Sequence, residues 1–376
     1  MNDAIVVGGG PGGSTAAWLL ARAGRRVTVL DSARFPRPKL CAGWVTPAVW
    51  RGLEIDPATY PRTLQPFRSA SLELDGNRHE TRWAETASYG IIRREFDEFL
   101  LRRAEAAGAE VREETRVQAI EAGRDGMTIT TTKGETFVAP LAIGAGGHNC
   151  PVARALGEVS PQEAVVVTRE SETRLGAETL KRLTKHHGTP ELFAESDFKG
   201  YGWYFTKGDF LNLGIGCLAT GRDLHRRFDA LLDRLRNDGR LPTDVALEPF
   251  RGHAYAVRLQ KPRRVAGNGF LLIGDAAGLA KGVSGEGIGP AVESARLAAD
   301  VLLSKSAEVA PEYTRQLTKR FGDGEVGAAG QVAERMPRWM TEGLARTVCR
   351  TPTLRRKLIF EGAFGMGAPT PWEEST

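Results

Sequence analysis

Residues 4–31 read AIVVGGGPGGSTAAWLLARAGRRVTVLD, and this stretch decides the fold. An apolar run at 4–7 leads into a glycine cluster at 8–13. Residues 14–23 are small and apolar, Gly24 stops the helix they predict, and 27–30 form a second buried strand ending on Asp31. That pattern is a βαβ unit, and it predicts an α/β domain built on a parallel sheet. Gly8-x-Gly10-x-x-Gly13 follows a strand directly and opens a helix, the setting of a dinucleotide fingerprint. Gly8 permits the tight turn, Gly10 lets the backbone approach a pyrophosphate, Pro11 and Gly12 complete the loop, and Gly13 lets helix and strand pack closely. The helix N-terminus adds free N–H groups and the positive end of the dipole. Asp31, 18 residues after Gly13, can accept hydrogen bonds from the ribose hydroxyls of an adenosine.

A second cluster lies far along the chain. Residues 269–273 read as another buried strand, running into Gly274, Asp275 and a small-residue turn; Ser284-Gly285-Glu286-Gly287-Ile288 then opens an alanine-rich helix over 289–303. A carboxylate at the carboxyl end of a strand suits a polyol such as the ribityl chain of a flavin. N–H groups at the helix start suit negative charge on a reduced flavin ring. The ADP-binding fingerprint alone does not separate NAD from FAD; this second cluster favours FAD.

Between the clusters the pattern predicts a helix at 96–107, strands from Val111 with a hairpin near Lys133-Gly134, and a strand at 140–143 entering Gly144-Ala145-Gly146-Gly147. Residues 156–265 differ in character, with alternating stretches and a loop-rich middle. The α/β domain is therefore predicted to be discontinuous, with a sheet-containing domain inserted into it.

Composition agrees with a folded soluble protein: 376 residues, 41% hydrophobic, 26% charged, formal net charge +5. A chain of this length predicts two or three structural units, because single cores stop growing at roughly 250–300 residues. Cys41, Cys150, Cys217 and Cys349 form no CxxC pair, which argues against a disulfide framework or a structural zinc site. No metal is predicted, and His186-His187 reads as a solvated surface pair. The first residues lack a signal sequence and no apolar run approaches a bilayer span, so a cytoplasmic protein is expected. Arginines alternate with acids instead of clustering on one element, against nucleic-acid binding. Glycine is the unusual residue: 19 of the 44 fall within 8–13, 144–147, 200–216 and 274–289.

With these motifs in view, the chain resembles the flavoprotein superfamily of aromatic hydroxylases, flavin-dependent halogenases and geranylgeranyl reductases, and within it the geranylgeranyl reductase-like branch. The resemblance rests on the fingerprint, on Pro38-Lys39-Leu40-Cys41-Ala42-Gly43, Arg93-Arg94-Glu95-Phe96-Asp97, Tyr201-Gly202-Trp203-Tyr204-Phe205 and 274–288. It implies that Asp31 contacts the adenosine ribose, Val117 lies near the adenine, Arg93 near the pyrophosphate and Asp275 near the ribityl chain and phosphates. Gly287 and Ile288 would flank the pyrimidine edge of the flavin, with Gly274 and Gly285 in the supporting turns. It also implies that the loop of Lys39, Cys41, Ala42 and Gly43 lies against the isoalloxazine. Cys41 is the candidate catalytic residue, the alternative being a small packed thiol. Tyr201, Trp203 and Phe205 share one face of a strand and either line an apolar substrate cavity or form a core stripe. Departures are visible too: glycine replaces the aspartate that hydroxylases carry near 144–148, the halogenase G-W-x-W-x-I-P motif is missing, and Lys281 either adds charge near the cofactor or points to solvent.

The fold expected is thus a Rossmann-like, aromatic hydroxylase-like FAD domain over 1–65, 90–155 and 266–320. An α+β substrate domain would take 66–89 and 156–265, and a helical C-terminal segment 321–376. The activity expected is FAD-dependent hydride transfer to an apolar organic substrate, such as a prenyl-type alkene, with NAD(P)H or another external reductant. Two alternatives stay open: an FAD monooxygenase acting on an aromatic or polyketide-like compound, and an FAD-binding electron carrier. Residues 331–360 hold seven basic and two acidic residues interleaved with apolar ones. They predict either an amphipathic cap over the domain interface or a peripheral contact with an anionic membrane.

Overall fold

A computed structural model of the chain describes residues 2–367 apart from 124–125, 161–162, 164, 185–187, 195–199, 219–220, 258–261, 305–307 and 324–336. The His186-His187 pair lies outside the described residues.

All four residues of Ala4–Val7 are buried, as required of a strand covered on both faces. It pairs in parallel with Val27–Leu30 (Ala4 opposite Val27) and with Ala142–Gly144 (Ile5 opposite Ala142). The sheet runs Ala266–Gly267, Phe270–Leu272, Ala142–Gly144, Ala4–Val7, Val27–Leu30, Glu110–Arg112, so strands distant in sequence meet beside the first one. The crossover helix Pro11–Arg22 starts earlier than its apolar pattern suggests, because Pro11 occupies its first position after an extended Gly10. It packs on Ile288–Leu303, where a Cβ on Gly12 would come 3.2 Å from the Ala291 carbonyl; small residues let the two helices approach. The helix expected at 96–107 spans Arg93–Ala106, its first turn tied by the Arg93–Asp97 pair.

The second sheet has seven strands, ordered Arg251–Ala256, Val165–Arg174, Phe210–Cys217, Gly200–Lys207, Glu191–Ala194, Ser69–Leu74, Asn77–Arg82. Leu64–Phe67 and Ser88–Ile91 bracket the excursion at 69–82, and Ser88–Ile91 pairs with Leu64–Phe67 on one side and Trp44–Val45 on the other in a small separate sheet. Period two divides Gly200–Lys207 between two environments. Tyr204 joins an outer core with Leu213, Ile215, Phe228 and Leu235, while Trp203 and Phe205 join a core on the opposite face. The outer core is closed by a helix, Gly221–Asn237, where the sequence pattern predicts a loop-rich middle.

At the C-terminus, Arg338–Arg350 leads through a short turn into a π-helical stretch, Arg355–Ala363. Arg355 is buried and fastens this segment to the edge of the second sheet. It donates to the Cys349 carbonyl (2.7 Å), the Glu80 carbonyl (3.0 Å) and Thr81 Oγ1 (3.1 Å).

Candidate functional site: the cavity between the sheets

One continuous cavity of about 1320 Å³ separates the carboxyl ends of the first sheet from the inner face of the second. Single-ligand pockets usually hold ~300–1,000 Å³, so there is room here for a cofactor and a second molecule.

At one end stands the fingerprint. Gly8, Gly10, Pro11 and Gly12 line the cavity. Gly8 has φ +113°, and a Cβ on it would lie 2.5 Å from the Ala145 carbonyl oxygen; a Cβ on Gly13 would lie 1.8 Å from that of Gly8. Gly13 does not line the cavity; its absent side chain lets helix meet strand. Gly10 is different, since the nearest atom to its Cβ position is Arg37 Nη2 at 3.6 Å. The space that glycine leaves there is a cradle for a ligand beside unpaired helix N–H groups. The guanidinium at this turn belongs to Arg37, within what the sequence showed only as a Pro/Arg-rich loop. Asp97 holds both arginines: Arg93 in a bidentate pair at 2.8 and 2.9 Å, Arg37 at 3.4 Å. Arg93 is buried, lines the cavity and also reaches Cys41.

Beyond the turn, Asp31 accepts from Gly9 N–H (2.7 Å) and Ala33 N–H (2.9 Å), which fixes its carboxylate while leaving lone pairs toward the cavity. Val117, half-buried, lines the far end with Thr115 and Arg116.

Gly274 and Asp275 begin the opposite wall. Asp275 Oδ1 sits 3.0 Å from where a Gly287 Cβ would be, so the missing side chain lets this carboxylate pack closely against the turn. The turn is anchored from behind by Arg263, which donates to the Ala276 carbonyl (2.9 Å) and the His148 carbonyl (3.2 Å) and forks onto Glu163 at 2.6 and 2.7 Å. Burial pushes the Glu163 carboxyl up, but Arg263 holds it below the usual carboxylate range. Nothing in the spacing of Arg263 marks it in the sequence. Gly285 has φ +67° and lies under the Tyr255 hydroxyl, and Tyr201 donates its hydroxyl to the Ser284 carbonyl. Gly285, Gly287 and Ile288 thus line the cavity at the start of Ile288–Leu303. Lys281 pairs with Glu286 at 2.6 Å and stays partly exposed.

Across the cavity, Lys39, Cys41 and Ala42 line the wall, while Gly43 (φ +68°) backs onto the Ile91 carbonyl. The Gly43 N–H donates to Cys41 Sγ at 3.3 Å. Lys39 Nζ lies 3.1 Å from His253 Nε2. Burial lowers the pKa of Lys39, and burial together with Lys39 pushes His253 down to about 4.

The inner face of the second sheet has two flanks. Tyr201, Trp203 and Phe205 line the cavity with Leu72, Leu192 and Ala194. Trp203 and Phe205 are at the same time buried members of a core cluster, so the cavity-lining and core readings of the stripe describe one arrangement. The other flank is polar: Glu170 and Thr168 line the cavity, and Lys207 pairs with Glu172 and donates to the Ala42 carbonyl at 2.8 Å. Sequence reading passed over Arg37, Arg263, His253, Glu170 and the Glu172–Lys207 pair, all of which act across long sequence separations.

The C-terminal segment closes the apolar end. Thr341, Leu344, Ala345, Val348 and Cys349 recur at helical spacing on one face of Arg338–Arg350 and line the cavity with Leu358, Ile359 and Phe364.

A parallel sheet with a glycine turn, an acidic residue after the second strand, and a Gly-Asp turn facing a second sheet define a two-domain dinucleotide-dependent flavoprotein. The sequence profile described as the FAD binding domain matches residues 1–313, and the chain belongs to that family. Menaquinone reductase of Mycobacterium tuberculosis is 29% identical over 86% of this chain and 81% of its own length. Digeranylgeranylglycerophospholipid reductase 1 of Methanopyrus kandleri is 29% identical over 89% of this chain and 90% of its own. Among solved structures, a geranylgeranyl bacteriochlorophyll reductase-like protein of Thermoplasma acidophilum superposes with a TM-score of 0.77 at 20% identity, covering 96% of each chain. PqsL of Pseudomonas aeruginosa superposes with a TM-score of 0.69 at 18% identity, covering 92% of this chain and 99% of its own. The protein is an FAD-dependent oxidoreductase, similar to the reductases named above. Its residues fit FAD: a cradle at Gly10 for the pyrophosphate, a fixed carboxylate at Asp31 for the ribose, and a carboxylate at Asp275 for the ribityl chain.

Proposed function

We propose that the protein reduces carbon–carbon double bonds in an apolar, prenyl-type substrate, with reducing equivalents entering from NAD(P)H or another external donor. Bound FAD supplies the hydride. The chain's own residues hold the pyrophosphate at Gly10 and Arg37, fix the ribityl chain at Asp275, and present the substrate along Tyr201, Trp203 and Phe205. Cys41, between Arg93 and the cavity, belongs to the reacting environment in this reading. The observation that carries it is the apolar end of the cavity, long, walled by aromatic and aliphatic side chains and roofed by the C-terminal helices. The mycobacterial and archaeal relatives are both reductases, which supports the same class.

The roof also suits delivery from a membrane. Trp339, Leu344 and Leu358 are 73%, 60% and 55% exposed, and Arg350, Arg356 and Lys357 are exposed beside them. Among the described residues no helix is long and apolar enough to cross a membrane. A peripheral contact with anionic lipid would put the cavity mouth against the source of a lipidic substrate.

The test is anaerobic. Holo-protein reduced with dithionite and given a geranylgeranyl-bearing lipid in detergent should yield product heavier by one H₂ per reduced double bond. A product formed only with O₂ and carrying oxygen would replace this reading with the monooxygenase, and no product with any prenyl lipid would leave the electron carrier.

A further inference from the structure

The polar flank of the cavity holds an acid that nothing above employs. Glu170 lies on Val165–Arg174, 3% exposed, with its side chain on the cavity face. Among the described residues its carboxyl forms no hydrogen bond and no ion pair. Its cross-strand neighbours are Gly214 on one side and Arg251 on the other, and Gly214 in turn faces Trp203. A Cβ on Gly214 would lie 2.7 Å from Glu170 Cβ and 2.5 Å from Trp203 Cζ2. The glycine therefore clears the floor between them, and the acid and the indole edge of the aromatic wall border one gap.

We propose that Glu170 is the proton donor of the reduction, a role that rests on the alkene-reductase reading. Reducing one C=C takes a hydride and a proton. The π bond breaks, one carbon receives the hydride supplied by the cofactor, and its neighbour receives the Glu170 proton. Glu170 is left as a carboxylate and regains a proton from solvent. The surroundings suit this cycle. Burial raises the carboxyl to about 7, opposed by Lys207, Arg93 and Lys39 and reinforced by Glu172. Arg251, His253 and Tyr255 face it from the neighbouring strand. At neutral pH both protonation states are then accessible, the condition for efficient general acid catalysis.

The experiment uses dithionite-reduced holo-protein and a geranylgeranyl lipid in detergent, across pH. Wild-type reduction should fall as pH rises through about 7. Glu170→Gln should lose about 10²–10⁴-fold and with it that pH limb, while Glu170→Asp recovers part of both. FAD content and reoxidation by O₂ should stay as in wild type. Independently of turnover, infrared difference spectra of the oxidised holo-protein, taken below and above neutrality, should show a protonated-carboxyl band that Glu170→Gln lacks. A variant within threefold of wild type, a pH limb that survives in Glu170→Gln and vanishes in Cys41→Ala, or no such band in wild type would each overturn the assignment. Should wild type reduce no prenyl alkene while the band is present, the reductase reading fails instead, and the proton-donor role falls with it.

Discussion

Lys39 Nζ lies 3.1 Å from His253 Nε2, and through this contact the loop beside the fingerprint domain meets the inner face of the second sheet. The two residues are 214 positions apart. A charged Lys39 can only donate, so with it Nε2 accepts and the imidazole proton sits on Nδ1. Two other links cross the same divide: Lys207 to the Ala42 carbonyl and Tyr201 to the Ser284 carbonyl. Each joins a side chain to a backbone oxygen in a loop that lines the cavity or supports its wall. The two walls of the cavity are therefore positioned together.

The buried imidazole makes stability depend on pH. With His253 held near 4 in the fold and about 6.5 when unfolded, the unfolded chain binds the extra proton between those values. Stability should therefore fall as pH drops from about 6.5 toward 4. His253→Gln keeps an acceptor for Lys39 and removes the titration. Its urea midpoint should decline less than that of wild type across this window; parallel declines would contradict the neutral, buried state.

Two glycines of the fingerprint should fail in different ways. Gly13→Ala drives a methyl to 1.8 Å from the Gly8 carbonyl, an overpacking that costs about 1–3 kcal/mol or more and should lower the melting temperature even of the apoprotein. Gly10→Ala meets only Arg37 at 3.6 Å, so the apoprotein should melt like wild type while FAD retention drops. Melting curves and flavin absorbance of the two variants separate the packing glycine from the ligand glycine.

Arg263 carries the Gly-Asp turn, and its loss would leave the Glu163 carboxylate without its ion-pair partner. Breaking such a pair costs about 3–5 kcal/mol. Arg263→Met should lower the urea midpoint and release FAD, because the turn holding Asp275 loses its anchor. Adding Glu163→Gln removes the orphaned charge and should restore part of the stability but not the FAD retention. Asp275→Ala should instead weaken FAD retention while leaving stability nearly intact, and wild-type retention there would contradict the ribityl contact.

What was legible in the sequence was local. The strand at 4–7, the turn at 8–13 and the Gly-Asp turn at 274–275 depend on neighbours within a few residues, and glycine spacing records them. Phe210–Cys217 shows the boundary: its glycines at 214 and 216 stand out by count, but the purpose of Gly214, clearing the floor between Glu170 and Trp203, depends on strand pairing. Arg37, Arg263 and His253 gain their roles from partners brought together by the fold, and no periodicity encodes that. The helix Gly221–Asn237 was readable, since Leu224, Phe228, Leu231, Leu232 and Leu235 recur at helical spacing, yet its many charges mask the apolar stripe.

The C-terminal roof gives the last expectation. Trp339 is 73% exposed on the same helix whose other residues, Val348 and Cys349, line the cavity, so one face looks inward while Trp339 meets solvent. An exposed indole in a segment that also exposes Arg350, Arg356 and Lys357 matches an interfacial anchor, where apolar burial and attraction to anionic lipid add. Trp339→Asp combined with Lys357→Glu removes both contributions without touching the cavity lining. Full-length holo-protein should co-sediment with vesicles rich in anionic lipid, less with purely zwitterionic vesicles, and less still at high salt. The double variant should stay in the supernatant while keeping its FAD and its activity on detergent-dispersed substrate. Equal sedimentation of variant and wild type would mean that the segment is a cap alone, sealing the apolar end of the cavity and docking on nothing.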